Sequence, residues 1–373
     1  MIWETQHIKR ILLDLALKVT DTPFYGVNTP YDTTGLDWKN DVGLDSIQLM
    51  HLSVAAGSFF SLFEMDQPPY LLSYSSVDEW VSEILSAKKE VNNSISFTSS
   101  GTTGNTKVVK HTMQFLDREI NFLSTLFNDA TQIIPYIPSY TIYGFLFTVG
   151  LQQKLKIPVL YPSEINLQNL PSKALIVATP FHWQVILVPS PSVLNCYGVS
   201  SGAPLFDSLF KDIINKNVIL TELYGSTETA GVAFRKSFLQ GFTLFPYWKF
   251  TTTPNNSEIE DQDTQLTYML MDHIGINGAN TLNILGRKDK KIKIAGKLAD
   301  LDYIQNIIEQ FPAVQNCNLS AKRIENKVTI HAYLGLHVDN KANREAVMKQ
   351  IRSSLKPHEI PKRVTFGSIA ADV

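Results

Sequence analysis

Apolar residues recur at helical spacing through the opening part of the chain. Ile8, Ile11, Leu12, Leu15 and Val19 fall at i, i+3, i+4, i+7 and i+11 and so share one helical face. After a loop at residues 21–35 rich in Thr, Pro, Gly and Asp, a second helical pattern runs through Leu49, Leu52, Ala56, Phe59, Phe60 and Phe63, opened by Asp45 or Ser46 as its cap. Ser76 and Glu79 stand at capping-box spacing ahead of Trp80, Val81, Ile84 and Leu85, which predicts a third helix. Residues 87–93 are charged and polar and read as a linker. The pattern then changes to short strand-like runs at 94–98, 133–137, 174–178, 185–188 and 218–221, with a helix at 113–127 carried by Leu116, Ile120, Leu123 and Phe127. Such alternation predicts an α/β core. From Lys291 the order reads strand (292–294), helix (299–310), two strands (314–320 and 327–334) and helix (341–355), a small α+β end domain.

Length and composition bound the function. The 373 residues suit two or three domains, and 44% apolar with 18% charged residues is ordinary for a globular protein. Thirty-three Lys and Arg against 35 Asp and Glu leave a net charge of -2, which gives no general attraction to nucleic acid or acidic membranes. Two cysteines, Cys196 and Cys317, with no CxxC, exclude a disulfide scaffold and a cysteine zinc site and fit a reducing compartment. The apolar run at 143–151 is far shorter than a membrane span. The expectation is a cytoplasmic protein with neither a membrane nor a nucleic-acid partner.

Three segments carry candidate chemistry. Phe97-Thr98-Ser99-Ser100-Gly101-Thr102-Thr103-Gly104-Asn105-Thr106-Lys107 combines two glycines, which let backbone amides approach an anion, with hydroxyls and a lysine. That composition suits polyphosphate, although Thr106 stands where a Walker A loop needs glycine. Leu223-Tyr224-Gly225-Ser226-Thr227-Glu228-Thr229 follows a strand-like run, and a tight turn at a strand's carboxyl end is where α/β proteins place nucleotide contacts. Its Glu228 offers oxygen to Mg²⁺. The third segment, residues 285–297, alternates Ile and Lys after Gly286-Arg287 and by itself reads as a basic hairpin with a solvated face. His111 and His182 read as structural histidines, and the eight histidines show no HxxxH or HExxH metal spacing.

In this order the three segments resemble the adenylate-forming superfamily, which holds acyl-CoA synthetases, aryl-acid ligases and peptide-synthetase adenylation domains. The resemblance runs from Ser94 to the neighbourhood of Arg363. It implies that Ser100, Gly101, Thr102, Thr103, Gly104 and Lys107 grip the ATP phosphates, and that Tyr224, Gly225, Ser226 and Thr227 contact adenine and the α-phosphate. It also implies that Glu228 binds Mg²⁺, that Gly202, Ala203 and Pro204 lie beside adenine, and that Asp272 binds the ribose hydroxyls, although Leu270-Met271 replaces the usual Thr-Gly. Arg287 would support the ribose and phosphate, and Asp289 would be the hinge of the end domain. Tyr140, Tyr143, Phe145 and Phe147 resemble the segment that lines the family's acyl pocket. Two departures stand out: only 93 residues precede Ser94 where the family carries a large first lobe, and Val373 comes before the closing segment with the family's catalytic lysine. Slow adenylation by this chain alone is therefore expected, as is a homo-oligomer or cover over the exposed core.

Gly43-Leu44-Asp45-Ser46-Ile47, opening a helix after a long loop, looks like an acyl carrier protein, in which the serine receives phosphopantetheine. The expected organisation is a helical carrier-like domain (1–88), an adenylate-forming α/β core without its usual first lobe (94–288) and a small α+β domain (289–373). The implied function is activation of a small carboxylic acid with ATP and Mg²⁺. Transfer would follow to a pantetheine thiol of CoA, of an acyl carrier protein or of Ser46, in a fatty-acid-like or aryl-polyene-like pathway. The alternative is an impaired nucleotide-binding scaffold or a ligase completed by a partner.

Overall fold

The structure, a computed structural model, describes residues 2–24, 34–90, 94–99, 107–190, 193–251, 258–288, 291–294, 297–324 and 327–367. Its chain divides into two compact units, Met1–Ser99 with Val108–Trp248, and Ser100–Lys107 with Lys249–Val373.

The first unit begins with three helices, α1 (Thr5–Val19), α2 (Ser46–Phe59) and α3 (Val77–Glu90). Asp45 caps α2 by accepting from the backbone N–H groups of Ile47 and Gln48, while the Gln48 side chain accepts the Asp45 N–H, a reciprocal box. Ser76 and Glu79 do the same at α3. Helix α3 continues through most of the predicted linker, because Lys88 is buried and its amine donates to Phe60 O at 3.2 Å and Ser94 O at 2.9 Å. Strands β1 (Ser94–Ser99) and β2 (Lys107–Thr112) form a two-stranded sheet and lead into α4 (Met113–Leu126), capped by Thr112.

The central sheet follows. Strands β3 (Ile133–Pro135), β4 (Leu175–Ala178), β5 (Cys196–Ser200) and β6 (Val218–Ser226) are parallel neighbours in that order, and β7 (Ala230–Arg235) and β8 (Phe242–Leu244) extend it antiparallel. The parallel strands are nearly continuous apolar runs because both sheet faces are covered. Between β3 and β4 lie α5 (Ile142–Phe145), a π-helical turn (Leu146–Leu151) and α6 (Gln152–Leu155). Only glycine fits at 144, where a Cβ would stand 1.9 Å from Pro138 O. The 185–188 run is not a strand. It ends helix α7 (Pro180–Leu187), which Thr179 caps and Pro180 opens at its first position, and α8 (Asp207–Asn215) precedes β6. An apolar cluster including Ile176, Trp183, Ile213 and Leu220 fills one side of the sheet.

Strand β9 (Trp248–Phe250) leads from the first unit into the second. There β10 (Glu258–Asp261) pairs β11 (Thr267–Met269), β12 (Asp272–Ile276) pairs β13 (Thr281–Arg287), and β14 (Lys291–Ile294) pairs β15 (Lys297–Asp300). The β14–β15 hairpin takes residues 299 and 300 from the predicted helix, so α9 spans Leu301–Glu309. Strands β16 (Val314–Ile324), β17 (Lys327–Leu336) and β18 (Arg363–Phe366) form a sheet over which α9 and α10 (Lys341–Ser354) pack with Ile304, Ile308, Val347 and Ile351 buried.

Candidate active site

Parallel α/β sheets bind ligands outside the carboxyl ends of their strands, since backbone N–H groups and the following loops are free there. In the first unit β3 to β6 end at Pro135, Ala178, Ser200 and Ser226. After β3 come Tyr136 and the Ser139–Tyr140 loop, after β4 Thr179 and His182, after β5 the Gly202-Ala203-Pro204 turn, and after β6 the turn through Thr227 and Glu228. Tyr143, half-buried on α5, donates to Ala178 O at 3.4 Å and lies edge-on to Phe147 at 5.4 Å. Tyr136 and His182 are 6.4 Å apart between ring centres. The Ser200 hydroxyl is fully buried at the end of β5 and has no hydrogen-bond partner among the described residues. A buried hydroxyl without a partner is costly, so a polar ligand atom at this strand end would be favoured.

The β6–β7 turn is held rigidly. Ser226 Oγ accepts the Glu228 N–H at 3.2 Å and lies 3.1 Å from Thr229 Oγ1, so the hydroxyls order the turn that carries Glu228. His111, at the end of β2, donates from Nε2 to Thr227 O at 2.7 Å and stacks on Phe115 at 4.9 Å. Burial holds its pKa below the ordinary value, and that hydrogen bond fixes the Nε2–H tautomer of the neutral ring. Across the turn Glu119, buried on α4, accepts the Gly231 N–H at 2.9 Å, and Trp248 Nε1 donates to Gly231 O at 2.8 Å. A Cβ on Gly231 would meet Glu119 and Phe245 at 2.4 Å each, so glycine is required for this approach. Burial pushes the Glu119 carboxyl up to about 7, and His182, which bonds Thr179 Oγ1 at 3.0 Å, is pushed down to about 4 by burial.

Within the second unit Asp272 and Arg287 are directly opposite on β12 and β13, and the Lys288 N–H closes the strand end on Met271 O at 2.9 Å. Lys293 on β14 is held down to about 8, first by burial, then by the charge of Arg287, with Asp272 acting in the opposite sense. These three side chains therefore share one electrostatic neighbourhood.

Of the residues singled out in the sequence, the first unit brings Gly202, Ala203, Pro204, Tyr224, Gly225, Ser226, Thr227 and Glu228 to the carboxyl ends of β5 and β6. The second brings Asp272 to Arg287. Ser46 is exposed in the first turn of α2, and Lys107 is exposed at the start of β2. Ser100, Gly101, Thr102, Thr103, Gly104 and Asp289 lie outside the described residues. Phe145 and Phe147 are wholly buried in aromatic packing, so of the four aromatics in that segment only Tyr140 and Tyr143 keep some exposure. Among the described residues no group of three or more His, Cys, Asp or Glu side chains forms a metal cluster. Glu228 alone still suits Mg²⁺, which commonly takes one or two carboxylates together with substrate phosphates and water.

Sequence reasoning missed the polar side of α1. Arg10, Asp14 and Lys18 are spaced i, i+4, i+8 along the flank of the apolar stripe, and each bonds to the body of the first unit, although the Lys18 side chain stays exposed. Arg10 donates to Val159 O at 3.0 Å and lies over the Tyr161 ring at 4.5 Å. Asp14, buried, accepts from the Ser139 N–H at 2.7 Å, the Ser139 hydroxyl at 2.5 Å and the Tyr161 hydroxyl at 3.3 Å. Burial outweighs these donors and raises its carboxyl to about 6. The spacing was visible, but nothing in it distinguishes a covered stripe from a solvated one.

No protein-family model matches the sequence. A 4-coumarate–CoA ligase from Rhodobacter capsulatus is 27% identical over 347 residues, which cover 88% of this chain and 87% of that protein. A 4-coumarate–CoA ligase from Halorhodospira halophila is 24% identical over 278 residues, covering 73% and 71%. Among solved structures, an amide bond synthetase from Marinactinospora thermotolerans superposes with a TM-score of 0.58 at 16% identity over 74% of this chain. This chain spans 66% of that protein, and the likeness shows a shared fold.

Proposed function

We propose that this chain, a member of the broad adenylate-forming superfamily, activates an aromatic carboxylic acid with ATP and passes the acyl group to a pantetheine thiol. The observation that carries the proposal is the Tyr224–Thr229 turn at the carboxyl end of β6. There hydroxyls and Glu228 stand on a frame fixed from two sides by His111 and Glu119. The aryl character is supported by Tyr136, Tyr143 and His182 at the neighbouring strand ends, and by the substrate in the names of the two ligases to which the chain is similar.

In the proposed reaction a carboxylate oxygen of the acid attacks the α-phosphorus of ATP. The bond from that phosphorus to the bridging oxygen breaks, pyrophosphate leaves, and an acyl-adenylate remains. Thr227 would offer its hydroxyl to the α-phosphate. In the second unit, taken by itself, Asp272 opposite Arg287 is suited to accept from a ribose's hydroxyls. Glu228 would hold Mg²⁺, which draws charge from the phosphate oxygens. A thiolate of CoA or of a separate carrier then attacks the acyl carbon and AMP leaves with the bonding pair. Rigid donors aimed at the phosphates cost little reorganisation during the reaction, which is the value of fixing the turn from both sides.

The test is ATP–pyrophosphate exchange with purified protein over 4-hydroxycinnamate, benzoate and octanoate, followed by detection of acyl-CoA. Exchange with the aryl acids ahead of octanoate is expected. ATP binding without exchange on any acid would overturn acid activation, and preference for octanoate would overturn the aryl assignment.

A further inference from the structure

Lys18 lies in the last turn of α1, one turn beyond Asp14. An aspartate and a lysine at i and i+4 on a solvated helix would pair with each other. Here they do not, because Ser139 and Tyr161 take the Asp14 oxygens. The Lys18 amine instead donates to Thr98 Oγ1 at 3.1 Å and stands 5.0 Å from the centre of the Tyr140 ring. Among the described residues no carboxylate pairs with it, and partial burial lowers its pKa from the ordinary value. An exposed ammonium resting against a hydroxyl and an aromatic face, with no carboxylate of the described residues on it, can take an anionic oxygen that reaches it. Solvent still reaches the side chain, so such an oxygen can approach.

The two contacts have separate functional neighbours. Thr98 is on β1, immediately ahead of the Ser/Thr/Gly run in the sequence, and Tyr140 is in the loop that leads from β3 to α5 and Tyr143. We propose that Lys18 is an anion-contacting residue of the active site, with its ammonium, resting between Thr98 and Tyr140, taking an anionic oxygen of a substrate. That oxygen belongs to the carboxylate of the acid or to the polyphosphate of ATP. The inference rests on the proposed acid activation for the identity of the substrates, while the contact itself rests on geometry alone. It assigns the amino-terminal helix a direct part in substrate binding.

The decisive experiment labels lysines of the whole wild-type chain with an N-hydroxysuccinimide acetate ester and reads each site by peptide mass spectrometry. Labelling is run in ATP with Mg²⁺, in pyrophosphate, in 4-hydroxycinnamate and in chloride at equal ionic strength, with exposed Lys349 as the reference. Protection of Lys18 about fivefold or more relative to Lys349 is expected in the phosphate arms or in the carboxylate arm, and the protecting arm names the source. Equal labelling of Lys18 in all arms overturns the inference, whether or not the protein catalyses exchange. If no acid supports exchange while ATP still protects Lys18, the acid-activation reading fails and the contact stands. Where exchange is measurable, Lys18→Met keeps the aliphatic stem over Tyr140 and should raise KM for the protecting substrate about tenfold at an unchanged melting temperature, with Lys18→Arg recovering part of it. Unchanged KM values for both substrates in Lys18→Met would also overturn the inference.

Discussion

Glu119→Gln should stabilise the protein above neutral pH, and the pH dependence of that gain follows from one buried carboxyl. Glu119 is 2% exposed, and burial raises it from 4.5 to about 7 against the opposing effects of the Gly231 N–H, Arg118 and Tyr247. The native state therefore keeps a proton that the unfolded chain releases between those two values. For an acid whose folded pKa is raised, its favourable contribution is complete below pH 4.5 and is lost as pH rises through 7. The difference of roughly two and a half pK units corresponds to about 3 kcal/mol. Glutamine keeps an oxygen for the Gly231 N–H and cannot ionise. The stability of Glu119→Gln minus that of the wild type should thus climb by about 2.5 kcal/mol from pH 5 to pH 8.5, since part of the change already lies below pH 5, and the offset well below pH 4.5 would report the fit of the amide. Asp14 and the histidines titrate alike in both proteins and cancel in the subtraction. Urea unfolding followed by tryptophan fluorescence at several pH values measures the difference. A difference that stays flat, or falls with pH, would refute the reasoning.

Further predictions concern the other named side chains. Asp14→Ala leaves the Ser139 N–H and the Ser139 and Tyr161 hydroxyls without their acceptor and should destabilise the first unit by about 3 kcal/mol or more, whereas Asp14→Asn should cost well under half of that; thermal unfolding compares them. Glu228→Gln should slow ATP–pyrophosphate exchange about a hundredfold and raise the Mg²⁺ concentration needed for half-maximal rate, with little change in melting temperature, since the side chain is half-buried. An unaltered Mg²⁺ requirement would remove Glu228 from the metal's company. Ser46, exposed in the first turn of α2, should gain the mass of one pantetheine arm on treatment with a transferase and CoA, and Ser46→Ala should not.

Much of the frame was legible because local rules and tertiary packing agree. Helical spacing located α1 and α2, the Ser76 box set the start of α3, Asp45 proves to be the cap of α2 where the sequence offers Asp45 or Ser46, and apolar runs located β4 and β6. Errors arose where the deciding interaction is distant. The 185–188 run has the composition of a buried strand, and its helix follows from Thr179 and Pro180 upstream, a start signal that was present in the sequence and outweighs four apolar residues. Lys88 made residues 87–93 look solvated, yet its amine finds carbonyls of Phe60 and Ser94 that no local pattern could supply. The candidate site divides the same way. The turn at Tyr224–Thr229 and the Asp272–Arg287 pairing could be anticipated from motif order, whereas Asp14, Lys18 and Glu119 gain their roles only from long-range contacts.

Those long-range contacts repeat one device at two edges of the parallel sheet. Asp14 from α1 accepts the N–H of Ser139 in the loop after β3, and Glu119 from α4 accepts the N–H of Gly231 beyond the turn after β6. Both carboxyls are buried and both are raised, to about 6 and about 7, so each costs stability once it is ionised. An apolar side chain of similar volume would pack at either place without that cost, but it would leave a buried backbone N–H unpaired and the loop free to choose another position. A carboxylate accepts from more than one donor and so fixes orientation as well as distance; Asp14 does this with both polar groups of Ser139 and with Tyr161. Sacrificing stability for position makes sense where a displacement of about 1 Å changes chemistry, and the two loops involved border the strand ends proposed to bind substrate. Because one of the two carboxylates comes from α1, that helix fixes the loop after β3, and the position of Ser139 follows only from reading the helix together with the sheet.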